Sequence, residues 1–322
     1  ARGGRENCGN GLRPAIPYSL FPIPYSLHAD ESVVRRMGSI RARLKMMLWA
    51  LLCVLLVVVV AGATVVSRRR PTHERAWVAE QALLPSVLMT GDQVHVRNVR
   101  NFTYRSGTDF TPGYRDHTYE LGKLRRVWFG LSPFTRDWRG PAHAFLSFEF
   151  ADGQYVAVSV EARREAGETY SIWKGAMRHY ELIYVIGEER DLVGVRVLKD
   201  DPVYLYPMRA TPEQTRALFV RMMRRARQVE QRPEFYNTFS NNCTTNILEP
   251  VNEIAEKDIP FGLEILLPGY SDKLAHERGL IDTELTLEQA RRRFEVNERA
   301  HAAMAAPDFS ARIRTSVDPE QS

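Results

Sequence analysis

The chain reads as an α+β protein: an antiparallel sheet followed by packed helices, behind one N-terminal transmembrane helix. Three observations carry this reading. Residues 46–66 hold no charged side chain. Between Val94 and Tyr206, apolar and polar side chains alternate in several short runs. From Thr211 onward the apolar positions fall at helical spacing behind capping sequences.

Residues 1–36 differ from the rest: Pro17-Tyr18-Ser19-Leu20 recurs as Pro24-Tyr25-Ser26-Leu27, without helical or strand period. Such a proline-rich repeat reads as disorder. The expectation is a mis-called upstream extension with translation starting at Met37, so that residues 1–45 form a disordered leader and cytoplasmic flank. The run 46–66 comes next, 21 positions long. A helix of that length spans a bilayer core of about 30 Å. It is too long for a signal-peptide core, and Arg68, Arg69 and Arg70 after it do not resemble a small-residue cleavage site. An uncleaved anchor is expected. Arg41, Arg43 and Lys45 balance the arginines beyond it, so charge alone does not set its orientation.

A short helix is expected from Thr72 to about Ser86. Strands are expected at Val94–Val96, Val127–Phe129, Ala144–Phe150, Tyr155–Val160, Tyr180–Ile186, Leu192–Leu198 and Val203–Tyr206. Asp152-Gly153 between two of these runs signals a hairpin. Thr211-Pro212-Glu213-Gln214 opens a helix to about Glu230 with a capping box and proline at the first position. Thr286 with Gln289 opens a last helix to about Met304. The α+β domain thus covers residues 72–306, with a polar, frayed tail over 307–322.

Composition removes several function classes. The 322 residues are 44% hydrophobic and carry a net charge of +5. The densest basic cluster, Arg221, Arg224, Arg225 and Arg227, shares a helix with Leu218, Met222 and Val229 and reads as a solvated face. A pI near 9.1 without a basic patch interleaved with aromatics does not make a nucleic-acid binder. Cys8, Cys53 and Cys243 offer no disulfide framework. No histidines or cysteines fall at metal-ligand spacing, and no phosphate loop or dinucleotide fingerprint occurs, so no cofactor is called for. Glu188, Glu189 and Asp191 around Arg190 read as an ion-pair network.

What remains is the stretch Tyr236 to Ile247, with Cys243 framed by amides and hydroxyls. Asn242 is an N-cap candidate, which puts Cys243 in the first helical turn, where orphan N–H groups and the helix dipole favour a thiolate. The plain alternative is a small hydrophobe packed at a helix start. Pro250, about two turns on, requires that helix to be short or kinked. A catalytic cysteine needs a base and the base an orienting partner. Of the histidines, only His143 lies at the mouth of the hairpin. A two-residue Asp152-Gly153 turn sets His143 opposite Ala162; a slip of one residue sets it beside Glu161 on one face. An edge histidine and a surface glutamate are the alternative.

Several blocks resemble the Lnb N-terminal periplasmic domain family. They are Asn98-Val99-Arg100-Asn101-Phe102-Thr103-Tyr104-Arg105, Ala142 through Phe148, Ser159 through Glu165, Gly167 through Ser171, Tyr180 through Val185, Glu189 through Leu192, and Asn241 through Asn246. The resemblance covers roughly residues 90–285 and implies a periplasmic domain, hence a single-pass inner-membrane protein. The order His143, Glu161, Cys243, with an Asn-Cys pair opening a helix, is also similar to circularly permuted papain-like thiol enzymes, including lecithin-retinol acyltransferase-like proteins. That likeness implies a permuted papain-like fold and a thiol hydrolase or acyltransferase for an amide, ester or thioester of the cell envelope. Cys243 would be the nucleophile, His143 the base and Glu161 its orienting group. The Cys243 N–H and Asn241 would stabilise the oxyanion. The competing function is a non-catalytic periplasmic binding or assembly module.

Overall fold

The structure is a computed structural model describing residues 31–137, 139–255 and 258–315. The expected leader over residues 1–30 lies outside the described residues. Residues 31–45, expected to be part of that leader, are helical. Helix α1, Glu31–Arg68, contains the whole uncharged run and is the one helix among the described residues long and apolar enough to cross a membrane. The described residues divide into two compact units, one up to Val65 and one from Val66 onward.

The second unit is a sheet with helices on both faces. Its strands are β1 (Ser86–Thr90), β2 (Gln93–Arg100), a small pair β3 (Thr103–Tyr104) and β4 (Phe110–Thr111), β5 (Tyr114–Glu120), β6 (Leu124–Pro133), β7 (Ala142–Phe150), β8 (Tyr155–Arg163), β9 (Glu181–Gly187) and β10 (Tyr204–Pro207). The order across the sheet is β1-β2-β9-β8-β7-β6-β10, with β5 on β2. Every pairing is antiparallel except the single Arg100–Gly187 contact of β2 with β9. The helices of this unit are α2 (Ile172–Ala176), α3 (Glu189–Leu192), α4 (Gly194–Val197), α5 (Pro212–Gln231), α6 (Cys243–Asn252), α7 (Leu263–Leu266), α8 (Ser271–Glu277), α9 (Leu287–Phe294), α10 (Asn297–Ala303) and α11 (Phe309–Arg312).

Alternation along the central strands builds two cores. Ala144, Leu146 and Phe148 of β7 pack with Phe219 and Met222 of α5 and Ile247 of α6. Phe145 of β7 and Ala157 of β8 pack with Val193, Val197, Ala300 and Phe309 on the opposite face. Gly130 sits across from Phe145, whose ring fills the space a Cβ would need. The sheet is therefore drawn tight at the strand that carries His143.

Both capping boxes form as expected, with Thr211 and Gln214 on α5 and Thr286 and Gln289 on α9. The last helix breaks earlier than expected, after Phe294. There Glu295 bridges Tyr204, and the Val296 N–H donates to Val203 O at 2.9 Å. The tail expected from Pro307 is not wholly polar either, because Phe309 and Ile313 are buried in the second core.

Two segments change class. Leu192–Leu198, expected as a strand, is the end of α3 and α4. Its apolar side chains serve the second core at helical spacing, and a short β-branched run does not by itself distinguish the two states. Thr72–Ser86, expected as a helix, forms only a 3-10 turn at Ala79–Gln81. Its backbone groups are claimed by the residues just past the end of β8: Val78 N donates to Arg164 O at 3.0 Å, and Ala166 N donates to Ala76 O at 2.7 Å. That route carries Gln81 to the candidate site.

The acidic cluster forms ion pairs, as its sequence suggested. Asp191 accepts from Arg100 at 2.7 and 3.0 Å and from Phe102 N at 2.8 Å. Glu189 pairs with Arg314, and Glu188 with Arg115.

Candidate active site

Helix α6 begins as its sequence requires. Asn242 is extended, and its side chain accepts from Thr244 N at 2.9 Å and Thr245 N at 3.0 Å. Thr245 Oγ1 reciprocates by accepting from Asn242 N at 2.8 Å. Cys243 is the first helical residue, and α6 ends two residues after Pro250, at Asn252. Among the described residues no hydrogen bond takes the Cys243 N–H.

The other asparagines of the stretch hold the loop. Asn237 Oδ1 accepts from Phe239 N and Ser240 N at 3.0 and 3.1 Å. Asn241 donates to Phe235 O at 2.9 Å and accepts from Asn246 at 2.8 Å. Its amide is thus engaged in the loop.

His143 and Glu161 are brought together. The β7–β8 register pairs Phe145 with Ser159, one residue off the two-residue-turn expectation, and its continuation sets His143 across from Glu161. Ser159 Oγ joins them, 2.7 Å from His143 Nε2 and 2.8 Å from Glu161 Oε1. Gln81 donates to Glu161 Oε2 at 2.9 Å. Ser159 has one proton, donated to Glu161, so its oxygen accepts from Nε2–H. The network thereby assigns the tautomer, leaving His143 Nδ1 unprotonated. Sequence reasoning missed Ser159, although it was visible as the lone hydroxyl in the run Val156-Ala157-Val158-Ser159-Val160.

These groups line a cavity of about 220 Å³ together with Arg100, Arg196 and Lys199. Burial, the nearby Arg196 charge and an opposing pull from Glu161 leave His143 pushed down to about 3. Burial raises Glu161, but Arg100, His143, Arg196 and the Gln81 bond outweigh it and hold the carboxyl at about 2. Both groups therefore bind fewer protons folded than unfolded. Their stabilisation is full above an unfolded histidine pKa of 6.5 and is lost as pH falls toward 3, with Glu161 adding its loss below 4.5. The urea midpoint accordingly falls on going from pH 7.5 to pH 5, and His143→Gln flattens that fall. An equal fall in both proteins would remove His143 as its source.

Cys243 meets this group through the backbone. Its sulfur lies near the backbone N–H of Ala144, the residue after His143, and 3.7 Å from Thr244 Oγ1. Cys243 is only 6% exposed and packs in the core that holds Ala142 and Ala144. The His143 ring instead stacks on Phe145, with centroids 6.3 Å apart. Among the described residues no hydrogen bond joins Cys243 to His143, and Cys243 does not line the cavity. Burial pushes the Cys243 thiol up, although the Ala144 N–H, Thr244 and Arg196 pull the other way. The resting site thus holds a thiol and a neutral imidazole on either side of one strand residue.

The family model described as the Lnb N-terminal periplasmic domain matches residues 110–269. No match occurs among curated proteins or among solved structures. The matched span contains His143, Ser159, Glu161 and Cys243. Residues 110–269 thus match the Lnb N-terminal periplasmic domain family, and among the described residues one helix, near the N-terminus, is long and apolar enough to cross a membrane.

Proposed function

We propose that this periplasmic domain is a cysteine-dependent hydrolase or acyltransferase. It acts on an amide, ester or thioester of the cell envelope and is held in the inner membrane by residues 46–66. The supporting observation is the His143–Ser159–Glu161 relay, one residue along β7 from the N–H that meets the Cys243 sulfur. A permuted papain-like arrangement accounts for a histidine strand preceding a cysteine helix.

The sulfur attacks the substrate carbonyl carbon while its proton passes to His143 Nδ1, the nitrogen that Ser159 leaves free. A resting thiol implies that attack and proton transfer proceed together, without a preformed thiolate. The Cys243 N–H receives the oxyanion. Collapse expels the alcohol, amine or thiol, which takes the proton from His143. Water or an amine, alcohol or thiol acceptor then cleaves the thioester.

The test incubates the full chain in detergent with an activated aryl ester as acyl donor. The expected result is the acyl mass on the Cys243 peptide and none on the Cys243→Ser protein. No adduct on the wild type, or an equal one elsewhere in Cys243→Ser, ends the enzyme reading. A non-catalytic binding or assembly module is the second reading, favoured by the burial of the Cys243 thiol. It requires that Cys243→Ser leave the cellular phenotype intact while loss of the domain does not.

A further inference from the structure

Helix α2 carries the most exposed tryptophan among the described residues of the domain. Trp173 is 73% exposed, Ile172 47% and Met177 49%, and Phe239 of the neighbouring loop is 47% exposed. These side chains sit on a firm base. Thr238 Oγ1 donates to Ile172 O at 3.0 Å, and Asn237 Nδ2 donates to Ala176 O at 3.1 Å. Gly175 packs against Thr238 and Tyr236 so closely that no Cβ fits. The helix is therefore pinned to the loop that leads into Cys243, and its apolar side is turned to solvent.

The chain itself says what lies beside this side. Arg69 is the third residue after the apolar run ends at Val66. Three extended residues reach at most about 10 Å. Arg69 donates to Met177 O and Arg178 O, at 3.4 Å each. Met177 thus lies within one arginine side chain of a residue three positions past the apolar run. Lys174 and Arg178, within and just after α2, and Arg70 beside Arg69 supply cations suited to lipid phosphates. A tryptophan among apolar side chains, flanked by basic residues, matches the amphipathic character of the membrane–water interface.

We propose that Ile172, Trp173 and Met177, with Phe239, dip into the lipid interface. The loop before Cys243 is then held at the bilayer surface. This rests on the anchor and on the Arg69 contacts, and is independent of the chemistry at Cys243.

The test reconstitutes the full chain into phosphatidylglycerol–phosphatidylcholine vesicles and compares it with Trp173→Phe, whose fold is checked by circular dichroism. The difference emission belongs to Trp173. It should be blue-shifted, quenched by lipids brominated on the acyl chain and shielded from aqueous iodide. Ile172→Asp with Met177→Asp should restore iodide quenching. Emission at the water-exposed wavelength, quenched by iodide and not by brominated lipid, would overturn the proposal. So would blue-shifted emission that ignores brominated lipid and fades on dilution of protein in lipid, which would indicate a second copy covering the patch.

Discussion

Replacing His143 by alanine lowers the rate of thioester formation at Cys243 by about 100- to 10,000-fold, the usual worth of a positioned base. The effect is large because the resting cysteine is a thiol: burial pushes its pKa up, so attack needs a base to take the proton as the bond to carbon forms. In the proposed mechanism Ser159 and Glu161 act through His143, as positioning residues. Ser159→Ala disconnects Glu161 from Nε2 and lets the ring take either tautomer, which slows acylation. Ser159→Thr keeps the hydroxyl and restores the rate. Glu161→Gln removes the charge that favours the imidazolium, so the His143 pKa falls further and the base weakens. A stopped-flow measurement of aryl-ester turnover across pH 5 to 8 reads each variant against the wild type. Equal rates for wild type and His143→Ala would remove the base from the scheme, and an unrescued Ser159→Thr would reduce Ser159 to packing.

The second large effect is on stability. Asp191 is fully buried and Arg100 is 5% exposed, joined by a bidentate pair. Asp191→Asn leaves the guanidinium buried without its counter-charge. Breaking such a pair costs about 3–5 kcal/mol. The expected loss appears as a lower urea midpoint with an unchanged slope. Asp191→Leu combined with Arg100→Met, which removes both charges, should recover most of it. A double variant as unstable as Asp191→Asn would show that the pair holds the fold through shape and not charge. Because Arg100 also lines the His143 cavity, the single variant should slow acylation as well.

Local chemistry made much of this legible. Capping boxes at Thr211 and Thr286, the Asn242 cap and the apolar run behind α1 depend on neighbours in sequence, and each is where its residues place it. The Asp152-Gly153 hairpin was legible to within one residue, but that residue decides whether His143 faces Ala162 or Glu161. Leu192–Leu198 failed because its strand-like composition is overruled by a second core that depends on distant residues such as Ala300 and Phe309. The partners of Asn241, Phe235 and Asn246, had no signal in the sequence, because only the folded loop brings them to its amide. Ser159 had a signal, a polar side chain on the face shared by His143 and Glu161, and becomes decisive once the register is known.

The Ala144 N–H near the Cys243 sulfur gives the thiol a spectroscopic voice. An amide proton close to a sulfur changes its chemical shift when that sulfur is acylated, alkylated or oxidised. One backbone resonance near the start of β7, needing no substrate analogue, therefore reports the chemical state of Cys243.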